Sequence, residues 1–180
     1  MIKYRIQAIN NIVSNLTPYY NDESNWSRNK DIFDARLQAY NLRTEQWLFG
    51  AVIGEIGFNT FDHNFGFNCN KKGLYCNFDF DIDSVLLLDC GRGLKDSLLR
   101  VCPDIQNDFD AIRIAFTEMI SGRAPEQRGN GLKFVLSSII QNNWQMYYQS
   151  GNAVCTADSS GYSFSISELN YSGCLCLLSR

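Results

Sequence analysis

Glu55, Asn59 and His63 recur at steps of four within Glu-Ile-Gly-Phe-Asn-Thr-Phe-Asp-His, residues 55–63. Four residues of α-helix turn through about 400°, so each member of the triplet lies only about 40° around the helix from the last. Carboxylate, carboxamide and imidazole then form one stripe. Two glycine-bearing turns follow in order, Asp89-Cys-Gly91-Arg-Gly93 and Arg128-Gly129-Asn-Gly131-Leu132. Polar side chains sharing a helix face, followed by turns where backbone is accessible, suit the surroundings of a charged ligand better than a core.

The elements that must position these residues can be read from spacing. Apolar positions at residues 2–16 (Ile2, Ile6, Ile9, Ile12, Val13, Leu16) predict an amphipathic helix. Residues 17–32 are polar and predict a connecting loop with at most short structure. Helical spacing resumes over 31–64, with a break expected near Asn41. Its second part holds the stripe together with Gly50, Gly54 and Gly57, each costing roughly 1 kcal/mol against alanine inside a helix, so close packing on a neighbour is expected there. Residues 74–80 alternate as a strand, 81–83 turn, and the apolar run 84–88 predicts a central strand that ends directly at Asp89. Helices are predicted at 94–100, at 104–121 with Asn107 or Asp108 as N-cap, and at 131–142. The tail reads as four strands, at 145–150, 153–157, 162–167 and 173–178.

Bulk composition narrows the function. With 180 residues and 45% hydrophobic content, one compact domain with a sizeable core is expected. Sixteen basic against 19 acidic residues, with no basic cluster, gives nucleic acid no electrostatic footing. No apolar run is long enough to span a bilayer and the first residues lack a signal peptide's apolar core, so a soluble cytoplasmic protein is expected. Seven cysteines without a Cys-x-x-Cys pair read as reduced thiols; His63, Cys69 and Cys76 do not have zinc-site spacing. Cys174 and Cys176 fall on one face of a strand, which suggests packing.

Familiar nucleotide signatures are excluded. No Gly-x-x-x-x-Gly-Lys-Ser/Thr occurs, and the third glycine of a dinucleotide fingerprint is replaced by Asp96 after Gly93 and by Phe134 after Gly131. The ordered combination instead resembles the GHKL superfamily, the ATP-binding fold shared by gyrase B subunits, a heat-shock chaperone, mismatch-repair ATPases, histidine kinases and anti-sigma-factor serine kinases. Glu55, Asn59 and His63 match its N-box, Asp89, Gly91 and Gly93 its G1 box, and Gly129, Gly131 and Leu132 its G2 box.

That resemblance implies an α+β two-layer sandwich of the Bergerat type, a mostly antiparallel sheet with helices on one face. It implies a binding domain over residues 44–180 behind a helical extension, residues 1–43, and a lid over residues 94–128. ATP and Mg²⁺ are the implied cofactors. Asp89 would accept from the adenine amino group while Gly91 and Gly93 let the backbone approach base and sugar. Asn59 would ligate Mg²⁺, and Gly129 and Gly131 would bring N–H groups and a helix N-terminus to the phosphates. Glu55 becomes the candidate general base. His63 either contacts a phosphate or closes its helix; Arg128 is a further phosphate candidate. Ser163, after Gly161-Tyr162, stands in for the threonine that the family often places near adenine. Because His63 is the only histidine and belongs to the N-box, a complete sensor histidine kinase is excluded. The nearest resemblance is to stand-alone bacterial histidine-kinase-like ATP-binding proteins. An ATPase or protein kinase with a protein partner or phosphoacceptor is expected, and an ATP-gated interaction module without catalysis is the alternative; the helix at 2–16 either packs on its own domain or pairs two copies.

Overall fold

The structure, a computed structural model, describes residues 11–64, 72–118 and 130–180. After helical residues 11–14 come α1 (Thr17–Asn21), β1 (Trp26–Ser27), α2 (Lys30–Thr44), α3 (Trp47–His63), β2 (Leu74–Asp79), β3 (Ser84–Asp89), α4 (Gly93–Leu98), α5 (Asp108–Thr117), α6 (Gly131–Gln141), β4 (Gln145–Asp158) and β5 (Gly161–Ser179). The strands form one sheet in the order β1-β2-β3-β5-β4, and every pair is antiparallel. This is the α+β arrangement expected from the sequence.

The apolar run of β3 is explained by burial on both of its faces. Val85 and Leu87 point into the main core with Phe33, Phe49, Ile53 and Ile139 from the helices. Leu86 and Leu88 point the other way, into a second cluster with Ile12, Trp26, Tyr75, Tyr171 and Leu175. Each such side chain stabilises by roughly 1.5–3 kcal/mol when fully buried. The second face of the sheet is thus covered by the segment around α1, while α2, α3, α5 and α6 pack on the first.

Asn29 caps α2 by accepting from the Ile32 amide at 2.9 Å. The break expected near Asn41 comes later, at Glu45, whose φ of 56° ends the helix. Asn41 stays helical because its carbonyl accepts from the Glu45 amide at 2.8 Å and its side chain lies over Gly50. The glycines of α3 do mark close packing: a Cβ on Gly50 would lie 1.8 Å from Asn41 Oδ1, and one on Gly57 2.2 Å from Phe33 Cζ. Phe33, Leu37 and Tyr40 of α2 therefore reach the same core as Phe49, Val52 and Ile53 of α3.

The tail differs from expectation. Four short strands are two long ones: the stretch around Gly151 is an irregularity within β4 and not a turn, and residues 168–172 continue β5. Gly151 takes a φ of 59°, and the Asn152 amide donates to Asp108 Oδ2 at 3.2 Å, so the distortion is pinned by α5. Helix α5 is capped by Asn107, which accepts from the Asp110 amide at 2.8 Å, and Glu118 follows it. Of the expected lid, the described part forms α4 and α5, packed through Leu98, Ile105, Ala111 and Ile114; residues 119–128, like residues 1–10 of the predicted first helix, lie outside the described residues. Among the described residues no helix is long and apolar enough to cross a membrane.

Candidate functional site

Asp89 closes β3 and is 2% exposed. A carboxylate taken this far from water needs donors, and it has them on both oxygens. Oδ1 accepts from the Gly91 amide at 2.8 Å and from Asn64 Nδ2 at 3.2 Å; Oδ2 accepts from the Thr60 hydroxyl at 3.0 Å. Asn64 also accepts from the Arg92 amide at 3.1 Å, so it ties the turn to the end of α3. Burial pushes the Asp89 carboxyl above its usual range, and the donors from Gly91, Thr60, Asn64 and the Cys174 backbone oppose that rise.

The two glycine turns are needed here for different reasons. A Cβ on Gly91 would lie 2.1 Å from Asn64 Nδ2, so the space beside this glycine is filled by the Asn64 amide. The absence of a Cβ admits that clamp, and Gly91 is buried behind the turn and is not among the residues lining the cavity. A Cβ on Gly131 would lie 2.3 Å from Glu55 Oε2, so the start of α6 lies directly against the carboxylate of α3.

The cavity between these elements has a volume of about 280 Å³. Its walls include Glu55, Asn59, His63, Asp89, Gly93, Gly131 and Leu132, which the sequence reading singled out separately. Helix α3 supplies the stripe, the end of β3 supplies Asp89, and the first turn of α6 supplies Gly131 and Leu132. The Asn130 side chain makes no capping hydrogen bond at the start of α6, and a helix N-terminus favours negative charge. The sheet forms the floor, with Leu87, Tyr148, Cys174 and Cys176. Arg128 and Gly129 lie outside the described residues.

Ser163 is not brought to the site. It sits near the free end of the β4–β5 hairpin, where its hydroxyl pairs with Thr156 at 2.9 Å, and it is exposed. The register places another residue across from Asp89: Cys174, which also follows a glycine. A Cβ on Gly173 would lie 2.1 Å from the Asp89 carbonyl oxygen. Burial, together with the neighbouring Asp89 charge, pushes the Cys174 thiol up to about 12. Cys174 and Cys176 do share one face, as their spacing predicts, and that face is the floor of the cavity as well as core.

Sequence reasoning also missed Thr60, Asn64 and Lys30. The first two follow Asn59 and His63 directly, but only the placement of α3 against the end of β3 shows that they serve Asp89. Lys30 opens α2 and reaches the cavity wall from outside the motif region.

Among the described residues no group of three His, Cys, Asp or Glu side chains is arranged to hold a metal ion. Among the oxygen-bearing side chains that line the cavity are the Asn59 carboxamide and the Glu55 carboxylate. That set fits Mg²⁺, which takes one or two protein oxygens and completes its shell with water and substrate phosphates.

No family model and no curated protein matches the chain. Among solved structures it is similar to the 43K ATPase domain of Thermus thermophilus gyrase B in complex with an aminocoumarin, at 14% identity and a TM-score of 0.45. The likeness covers 80% of this chain and 38% of that one, so the chain spans well under half of the gyrase chain's length. A likeness of that size assigns no function, and the site must be read from its own chemistry.

Proposed function

We propose that the chain is a GHKL-type protein that binds Mg-ATP between α3, the end of β3 and α6, and that it hydrolyses ATP or transfers the terminal phosphate to a partner protein in bacterial regulation. The observation that carries this reading is the cavity's polarity along its length. At one end lies a buried carboxylate whose oxygens are fixed by donors from Gly91, Thr60 and Asn64, suited to accept from a neutral donor group such as the adenine amine. A like-charged phosphate would be repelled there. Farther along α3 come the Asn59 and Glu55 oxygens and the N-terminus of α6, which suit a cation and the polyphosphate it accompanies.

In this reading Asp89 selects the base, Asn59 supplies an oxygen to Mg²⁺, and the first turn of α6 at Gly131 and Leu132 holds the phosphates. When bound, Mg²⁺ supplies charge neutralisation across the phosphate oxygens. Glu55 is placed to accept the proton of an attacking water or hydroxyl. Its carboxylate lies against Gly131, where the phosphates would sit. His63, at the end of α3, lines the same wall as a polar contact.

Calorimetric titration with Mg-ATP, followed by phosphate release from wild type and Glu55→Gln, tests the proposal. Saturable binding with turnover that the variant abolishes supports a catalytic role for Glu55. Tight binding without turnover, with partners present, makes the site a gate for protein association. No binding by correctly folded chain overturns the reading.

A further inference from the structure

We infer that Tyr171 is a positioning residue for the base end of the site. From the face of the sheet opposite the cavity, its hydroxyl holds the main chain of Asp89 and so fixes where the Asp89 carboxylate points. The assignment rests on the ATP reading given above and deepens it by naming what aims the base-selecting group.

Strand parity separates the two faces. Asp89 shares its side of β3 with Val85 and Leu87 of the main core, whereas Cys90 continues the side of Leu86 and Leu88 and packs on the second cluster. The β3–β5 ladder ends where Asp89 pairs with Cys174. There the β4–β5 register passes from Ser150 opposite Cys174 to Gly151 opposite Tyr171, so Ser172 and Gly173 are extra residues on β5. Extra residues of this kind re-aim the neighbouring side chain. The Tyr171 hydroxyl donates to the Asp89 carbonyl oxygen at 2.8 Å.

Tyr171 is itself held firmly. It is buried in the second cluster with Trp26, Leu88 and Leu175, and Cys90 Sγ lies 3.9 Å from its hydroxyl. Tyr20 of α1 contacts the same sulfur. Burial pushes the Tyr171 hydroxyl well above its usual range, so it stays protonated and remains a donor.

Asp89 is thus gripped from both faces. Gly91, Thr60 and Asn64 set its carboxylate, and Tyr171 sets its carbonyl from behind. Removing only the hydroxyl deprives a buried carbonyl of that donor, and the turn shifts to satisfy it. The Asp89 carboxylate and its Gly91 donor belong to that turn, whereas Glu55 and Asn59 are anchored in α3 and Gly131 in α6.

The test titrates wild type, Tyr171→Phe and Gly57→Ala with adenosine and Mg-ATP, and follows amide hydrogen exchange in the nucleotide-free proteins. Gly57→Ala serves as a variant destabilised away from the site. For Tyr171→Phe, affinity for adenosine and for Mg-ATP is expected to fall by the same factor, about tenfold, the order of one hydrogen bond. Gly57→Ala stays within about twofold of wild type for both ligands, since its strain lies between α2 and α3. Exchange at the Gly91 amide, which the Asp89 carboxylate accepts, quickens in Tyr171→Phe while that of Leu87, inside the ladder, keeps its wild-type rate. Unchanged affinities in Tyr171→Phe, an equal loss in Gly57→Ala, or equal quickening at Gly91 and Leu87 overturns the assignment while leaving ATP binding intact. If wild type binds neither ligand, the ATP reading fails and this assignment fails with it.

Discussion

Replacing Asp89 by asparagine should raise the stability of the nucleotide-free protein and abolish nucleotide binding. The carboxylate is 2% exposed, and its donors on Gly91, Thr60 and Asn64 lie at 2.8, 3.0 and 3.2 Å. An asparagine of the same shape keeps the Gly91 amide and Asn64 on its carbonyl oxygen. Its NH₂ takes the place of Oδ2, and the Thr60 hydroxyl rotates from donor to acceptor. What is removed is the burial of a charge. Because burial raises the Asp89 pKa in the folded state, the native protein holds more protons than the unfolded chain at pH values above the ordinary 3.8 and up to the raised value. Stability therefore falls as pH climbs through that window, each unit of elevation being worth about 1.4 kcal/mol, and the full loss is present above it. The variant lacks this loss. Relief of even 1 kcal/mol moves the melting temperature by roughly 2–4 °C in a chain of this length. In the ligand-bound state the variant's NH₂ faces the adenine amine, leaving two buried donors unpaired at ~1–3 kcal/mol each. That is a loss of at least ~30-fold in affinity. Thermal melts without nucleotide at several pH values, with calorimetric titration of Mg-ATP, measure both effects. A variant that melts above wild type at pH 7, by a margin that closes on acidification, and no longer binds ATP supports the argument. One that melts several degrees lower, or binds ATP as wild type does, refutes it.

Three further outcomes follow from named contacts. Gly131→Ala places a Cβ 2.3 Å from Glu55 Oε2, so the carboxylate must move; phosphate release is expected to fall ~10–100-fold with little change in melting temperature, since misplacing a reacting group by about 1 Å can cost that much. Gly57→Ala puts a methyl 2.2 Å from Phe33 Cζ and overpacks the α2–α3 contact, costing about 1–3 kcal/mol in denaturant titration while leaving the site chemistry in place. Cys174, whose thiol burial pushes up to about 12, should resist iodoacetamide at pH 8 in the folded protein and react once unfolded in urea, as read by peptide mass.

The parts of the site that were legible in the sequence are those whose geometry is local. Glu55, Asn59 and His63 share a face because a helix repeats every 3.6 residues, and Asp89 follows a short apolar run that is consistent with a central strand. Gly57 announced a close contact by its cost alone, although the partner, Phe33, could not be named. The residues that escaped depend on how distant segments meet. Thr60 and Asn64 become relevant only because the end of α3 lies over the end of β3, and Lys30 only because α2 folds back along α3. Ser163 and Cys174 each lie shortly after a glycine, and only the β3–β5 register brings one of them, Cys174, opposite Asp89. The sequence predicts four strands because Gly151 and the polar stretch 168–172 resemble turns; pairing with β5 continues on both sides of the irregularity at Gly151, which a hydrogen bond from Asn152 to Asp108 holds in place.

The central claim is that one cavity joins a base-selecting carboxylate to a phosphate-binding helix start. Calorimetric titration of the wild-type chain with Mg-ATP tests it most directly. The account predicts saturable binding at one site per chain that is lost in Asp89→Asn. Absence of heat and of any thermal stabilisation at millimolar Mg-ATP, in protein shown to be folded, contradicts it.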